Sequence, residues 1–331
     1  MAININYRAK AIYVKNQAAI GTAETLTAAD ILRTSNLEGS IYDGDTTNID
    51  YDGGTGRNAI DRHMTQYNKF SFETDIIGGG VDTGVVQEPP SAAVIRACGF
   101  DMDLTDPTQV LFTPSDRSNI DVATVRKVRR VATNAPGDYR VYSYDTLDAR
   151  GALGISLSDD RPKFTVTDMT GIYQRPVEIA STPLGTDVPN LSISPVTFTN
   201  GSFNVLNFNG IELCTHAFNI PNTGWAVAPI DKPNCSDITL TEEKIVMDIT
   251  FKQLDFATEG NPFEWAEDHD TVQYYPFNLS MDNREGHIFK IGGTARLMNA
   301  QETNLEDGNV GIQAQLEIED DDFNFGFYAA V

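Results

Sequence analysis

Ser202-Phe203-Asn204-Val205-Leu206-Asn207-Phe208-Asn209-Gly210-Ile211-Glu212-Leu213-Cys214-Thr215-His216-Ala217-Phe218 is the stretch that decides how this chain folds. On either side of its centre, apolar and polar side chains largely alternate, the two-residue period of a strand that buries one face. At the centre stands Asn209-Gly210, a pair that accepts positive φ at both inner positions of a type I′ turn, whose twist suits antiparallel neighbours. The stretch predicts a β-hairpin, and the same grammar recurs. A second hairpin pairs residues 151–157 with 163–168 through a turn at 158–162, and a third pairs 273–281 with 287–297 across Asp282-Asn283-Arg284-Glu285-Gly286. Helical periodicity is brief wherever it occurs, so the chain reads as mainly β.

Two short helices are expected between the strands, each opened by a proline whose missing N–H would have had no partner in a first helical turn. One spans residues 90–97, with Gly99 placed to stop it in the left-handed region, and the other spans 262–268. Each follows a strand and a glycine-containing loop, 70–77 then 78–88 and 245–254 then 257–261. An order of elements that occurs twice points to an internal structural duplication. The length of 331 residues fits two domains of roughly 100 to 200 residues each. Residues 181–190 are nearly uncharged and punctuated by proline, which reads as an extended linker. The expected division is a β domain over 1–178, a linker over 179–198 and a second β domain over 199–331. Residues 38–59, rich in Asp, Gly and Thr, are expected to form a mobile or interface loop.

Composition narrows the function classes. Net charge is −23, and it is uneven: residues 1–170 carry 17 basic against 23 acidic groups, residues 171–331 only 7 against 24. Affinity for nucleic acid comes from Lys and Arg neutralising phosphates, so this chain is not expected to grip DNA or RNA. No apolar run approaches the ~18 residues that span a bilayer, and a soluble protein with no membrane partner is expected. Residues 1–8 lack the basic start, apolar stretch and cleavage site of a secretory signal, so the chain is expected to stay where it is made until something assembles it. Cys98, Cys214 and Cys235 form no C-x-x-C pair and read as free thiols.

Catalytic and metal motifs are incomplete wherever the chain approaches one. Counted from Asp43, the acidic run 43–54 has Asn48 where an EF-hand needs Gly and Gly54 where it needs Glu, so a solvated acidic loop is the better reading. Gly78-Gly79-Gly80 precedes no Gly-Lys-Ser/Thr and reads as a flexible loop. His63, His216, His269 and His287 are scattered, and Gly154-Ile155-Ser156-Leu157-Ser158 lacks the last glycine of a nucleophile elbow. Glu264, Glu267, Asp268, His269 and Asp270 read as an exposed acidic helix face. No cofactor, metal or enzymatic activity is expected.

One basic run stands out, Arg126-Lys127-Val128-Arg129-Arg130, which reads as a solvated strand or a protein contact rather than a nucleic-acid patch. Its complement is Glu317-Ile318-Glu319-Asp320-Asp321-Asp322 near the end of the chain. Arg126, Lys127, Arg129 and Arg130 of one copy are expected to meet Glu317, Glu319, Asp320, Asp321 and Asp322 of the next.

Three segments carry a family resemblance: Gln17-Ala18-Ala19-Ile20-Gly21-Thr22-Ala23-Glu24-Thr25-Leu26-Thr27-Ala28-Ala29-Asp30; Pro89-Pro90-Ser91-Ala92-Ala93-Val94-Ile95-Arg96-Ala97-Cys98-Gly99-Phe100; and Asp148-Ala149-Arg150-Gly151-Ala152 leading to Thr170-Gly171-Ile172-Tyr173. In order and spacing they resemble the major tail tube proteins of long, non-contractile-tailed (siphovirus-type) bacteriophages, in the larger, two-domain variety. The first is like that family's Gly-Thr followed by a Thr-Ala-Ala-Asp step, the second like its Pro-started helix with a Cys-Gly-Phe stop. The likeness spans about half the chain directly, and residues 199–331 fit by strand pattern.

The resemblance implies two tandem β-sandwich or split-barrel domains, each with a short helix and long hairpins. It further implies a structural virion protein, made in the host bacterial cytoplasm, that forms a trimeric ring of pseudo-sixfold symmetry and stacks into the tail tube. Its implied partners are itself and the tape measure, tail-tip and tail-terminator proteins, with duplex DNA passing through the lumen without specific binding. In that setting Asp43, Asp45, Asp50 and Asp52 are candidates for the stacking loop. Carboxylates lining a lumen would hold DNA off the wall over a Debye length of ~8 Å. The very acidic C-terminus is a departure, and it fits the lumen or the outside. The rival reading is a capsid decoration or other virion shell protein, which shares the β content and acidity but does not stack. A carbohydrate-binding sandwich would need aromatics on one face, and Trp225, Trp265 and Tyr274-Tyr275 are scattered.

Overall fold

The computed structural model describes residues 10–43, 46–50, 59–63, 66–116, 120–132, 139–157, 161–179, 194–196, 205–232, 235–254, 273–305 and 308–330. The chain is mainly β. Its N-terminal part contains β1 (Lys10–Asn16), β2 (Ile31–Leu32), β3 (Thr34–Asp43), β4 (Thr46–Asp50), β5 (Ala59–His63), β6 (Tyr67–Asp75), β7 (Val81–Asp82), β8 (Val85–Val86), helix α1 (Ala92–Ala97), β9 (Phe100–Asp103), β10 (Gln109–Pro114), β11 (Ala123–Ala132), β12 (Tyr139–Ser156), β13 (Lys163–Tyr173) and β14 (Val177–Ile179). Then come β15 (Val205–Phe208), β16 (Ile211–Ile220), β17 (Trp225–Lys232), β18 (Cys235–Glu242), β19 (Ile245–Lys252), β20 (Tyr275–Met281), β21 (Ile288–Asn304), β22 (Val310–Ile318) and β23 (Asn324–Tyr328).

All three hairpins form. In β15–β16 the turn residues Asn209 and Gly210 have φ of 50° and 79°, the two positive values a type I′ turn needs. The other two pairs are β12–β13 and β20–β21. Helix α1 also forms within the expected span, and Gly99 follows it at φ 92°. Gly99 has a second reason to be glycine: a Cβ there would lie 2.4 Å from Cδ1 of Trp225. The second expected helix, 262–268, lies outside the described residues, as does the proposed linker stretch 181–190.

The C-terminal strands close on themselves. Antiparallel pairings run β15–β16–β19–β22–β21–β20 and back to β15, a six-stranded barrel. Bulges between Thr215 and Ala217 and between Leu297 and Asn299 bend its long strands, as closure of a sheet requires. The N-terminal strands run β2–β1–β11–β12–β13–β6–β3; because β2 and β3 are one extended segment interrupted only at Arg33, this sheet returns on itself at β2 and is open only where β3 parts from β1.

Two seams join barrel and open sheet. The far end of β12 pairs with β16 through Ile155 and Ser156, and β10 pairs with β23, which lies along β21. At the second seam Phe325 sits among Phe100, Phe112, Phe164 and Phe289, with ring centroids 5.0 to 6.1 Å away. All five rings are at most 1% exposed. Burying each contributes about 1.5–3 kcal/mol, so strands distant in sequence share one core. Val196, inside the span read as a linker, is fully buried in that core, and its N–H donates to Ile76 O at 2.8 Å.

One loop differs from the sequence expectation. Gly78-Gly79-Gly80 is packed, not free: a Cβ on Gly78 would fall 2.0 Å from Gly286 O, and one on Gly79 2.2 Å from Gln87 O. Glycine is needed there because two backbones meet with no room for a side chain. Within the stretch 38–59 the described residues are strand, since β3 runs through Asp43 and β4 pairs with β5 from Thr46↔His63 to Asp50↔Ala59. Their β-branched and isoleucine positions outweigh the Asp and Gly content. No helix among the described residues is long and apolar enough to cross a membrane.

Candidate assembly surfaces

The basic run lies on β11, held between β1 and β12. Because a strand alternates its faces, the run divides into two sets. Arg126 takes one face and makes a bidentate pair with Asp145 directly across on β12, Nε to Oδ1 2.8 Å and Nη2 to Oδ2 2.6 Å. That hydrogen bond raises its pKa further and commits Arg126 within the chain. Lys127 and Arg129 take the other face, towards the core. Arg130 belongs to β11, but its side chain lies outside the described residues.

Lys127 is 6% exposed, with its ammonium 5.1 Å from the ring centroid of Phe70. Burial, reinforced by Lys10 and Arg129, pushes its pKa down to about 8. Arg129 stands directly opposite Lys10 across the ladder, and its Nε is buried without a hydrogen-bond partner.

The acidic run divides as well. Glu317 is 7% exposed on β22, where Oε2 accepts from Arg296 Nε at 3.0 Å and Oε1 pairs with Lys244 at 2.8 Å. Burial alone would raise its pKa, but the bonds from Lys244 and Arg296 outweigh it and the carboxyl is held low. Glu317 is therefore occupied within the chain. Glu319 and the 3-10 turn Asp320–Asp322 are exposed. The Thr294 hydroxyl lies 2.9 Å from Glu319 Oε2 and 3.1 Å from Asp322 Oδ2, which ties the turn to β21.

Asp320 and Asp321 face a cleft of about 480 Å³ between the two parts of the molecule, with Asp116, Glu242 and Trp225. Burial, then the neighbouring carboxylates led by Asp321 and Glu242, raises the pKa of Asp320. The sequence reading missed Asp116 and Glu242, which lie 204 and 78 residues before Asp320 and meet it only as the fold closes, so no local spacing marks them. Among the described residues no three His, Cys, Asp or Glu side chains converge as a metal site would require.

Asp43 ends β3 and Asp50 ends β4, while Asp45 and Asp52 lie outside the described residues. A further surface, not singled out as a contact from sequence, is the loop after β1. Ile20 is 73% exposed, yet its loop is anchored: Gly21 N–H donates to Asp148 Oδ1 at 2.7 Å and Glu24 N–H to Thr124 Oγ1 at 3.0 Å. Asp148 is 9% exposed and sits at φ 50° where β12 bulges, so β12 is shaped to hold this loop. The available signal was the uncharged run Gln17-Ala18-Ala19-Ile20-Gly21-Thr22 beside a buried acid. No protein-family model matches the chain, and neither does any curated protein.

Proposed function

We propose that this chain is a structural subunit that self-assembles, and that its assembly is the stacked-ring tail tube of a siphovirus-type bacteriophage virion. The observation that carries the reading is the anchored uncharged loop: Ala18 to Ala23 are all exposed, Ile20 at 73%, and the buried Asp148 holds them in place through the Gly21 N–H, which suits a surface that another copy covers. The loop belongs to the first of the three segments that resemble the tail tube family. The open sheet adds to this. Beyond Arg33, β3 has a ladder partner, β6, along one edge only among the described residues, and an assembly turns such an edge into an interface. In this reading the two parts of the chain act as related tail-tube-like domains, three chains make a ring of pseudo-sixfold symmetry, and rings stack. Tape measure, tail-tip and tail-terminator proteins are the further partners. The charge of −23 lets duplex DNA pass without adhering, and no catalytic role is assigned.

Electron microscopy of the purified chain across a concentration series tests this. Hollow tubes or stacked rings are the expected outcome. Discrete trimers that never stack would favour a capsid decoration protein, and monomers at every concentration, even with tail-tip protein added, would overturn the reading.

A further inference from the structure

With β2 and β3 taken as one segment, the N-terminal circuit matches the barrel strand for strand. In chain order, each part pairs its first strand with its second, second with third, third with sixth, sixth with fifth, fifth with fourth and fourth with first. The bulges agree as well. The shift between Ser35 and Glu38 on β3 answers the one between Thr215 and Ala217 on β16, and the shift between Leu147 and Arg150 on β12 answers the one between Leu297 and Asn299 on β21. A seventh strand lies along the early part of the fifth in each, β14 on β12 and β23 on β21.

The counterparts differ in one place. β12 runs on past the start of β11, where Ala149 meets Ala123, and the end of β16 takes the edge this exposes. Ile155 pairs with Ile220 and Ser156 with Asn219, the Leu157 N–H donates to Phe218 O at 2.8 Å, and the Thr223 N–H and hydroxyl donate to Leu153 O at 2.8 and 3.0 Å. Leu153, Ile155 and Leu157 are buried there. β21 likewise runs on past the start of β20, where Ala295 meets Tyr275. Over residues 298–304, however, its ladder partner is β22 along one edge only, among the described residues. Met298 is 52% exposed, and Asn299, Gln301, Glu302 and Asn304 are exposed with it. Counted from the bulges, the counterpart of Ile220 is Ser40, in the part of β3 that also has a ladder partner on one side only among the described residues. The chain thus holds one joint made, β12 with β16, and both halves of its counterpart, β21 and β3, unpaired.

We propose that the outer edge of β21 over residues 298–304 pairs antiparallel with the end of β3, residues 39–43, of a second copy of this chain, in the manner of β12 with β16. Unpaired edges are templates for such addition. Each copy carries one edge of each kind, so the contact is head-to-tail, and a rotation that closes makes a ring. The inference rests on the self-assembly reading and names its joint.

Disulfide trapping tests it. Cys214 and Cys235 are first replaced by serine, while Cys98 stays, because it is buried and burial raises its thiol pKa. A chain carrying Ser40→Cys is mixed with one carrying Glu302→Cys, Thr303→Cys or Asn304→Cys, assembled and oxidised. Opposed residues of antiparallel strands have Cα atoms about 4.5–5.5 Å apart, which a disulfide spans. At least one mixture is expected to give about tenfold more covalent dimer than either of its chains alone. Equal yields from all three mixtures and their single chains, with tubes or rings still present in micrographs, overturn the joint and leave self-assembly standing. A natural chain that assembles under no condition overturns both. Should the cysteine variants fail to fold, hydrogen exchange on the natural chain reads the same joint. Amides of residues 39–43 and 298–304 are expected to exchange about tenfold or more slowly in the assembly than in dilute solution, and slowing confined to other strands overturns the proposal.

Discussion

The barrel of the C-terminal part and the open sheet of the N-terminal part use the same hairpin grammar, yet one saturates itself and the other does not. In the barrel each of the six strands has a neighbour on both sides, and the buried charge of Glu317 is met by Arg296 and Lys244. In the N-terminal sheet β3 has a ladder partner on one side only beyond Arg33, Ile20 stands in solvent, and Lys127 and Arg129 have no carboxylate among the described residues. The comparison teaches where assembly would begin. A region that has met its own hydrogen bonds and charges gains little from a second copy, whereas one that has not gains a great deal.

The largest effect should come at the seam, where the contrast ends because both regions depend on one aromatic cluster. Phe325→Ala removes a fully buried ring shared by Phe100, Phe112, Phe164 and Phe289. A loss of about 3–5 kcal/mol is expected in denaturant melts. Barrel and open sheet should lose stability together, and a calorimetric trace that splits into one shifted and one unshifted transition would show them to be independent.

An effect confined to the open sheet comes next. The pKa of Lys127 is lowered from 10.5 to about 8, so the folded chain releases this proton before the unfolded chain does. Stability of the dilute monomer should therefore rise with pH between about 8 and 10.5, by on the order of 3 kcal/mol if that shift is fully realised. Lys127→Met should remove this part of the pH slope and leave the barrel's exchange protection unaltered. An unchanged slope would refute the assignment.

The smallest effect belongs to the barrel. Gly210 has φ 79° with nothing within 4 Å of where a Cβ would stand, so Gly210→Ala meets no neighbour and suffers only left-handed backbone strain. About 1–2 kcal/mol is expected, read first as faster amide exchange in β15 and β16. Equal acceleration in β1 and β11 would contradict a locally closed barrel.

Local chemistry made much of this legible. Asn209-Gly210 specified its turn because few residue pairs accept two positive φ values, and Gly99 marked a helix stop for the same reason. The candidate site was less legible. Arg126 to Arg130 looked like one basic run, yet the two-residue period turns Arg126 towards Asp145 and turns Lys127 and Arg129 towards the core. That division could have been read from the alternation itself. The partners could not, because Asp145 and Lys10 reach the run only through strand register.

By itself, then, the sequence determined the β class, the hairpin turns, helix α1 and the acidic balance, all set by interactions between residues a few positions apart. Tertiary structure alone decided that six strands close, that Gly78-Gly79-Gly80 meets Gly286, that Glu317 is paired with Arg296 and that Lys127 is buried. These depend on which distant strands pair and in what register. A one-residue slip would reverse every face, and no short stretch of chain contains that information.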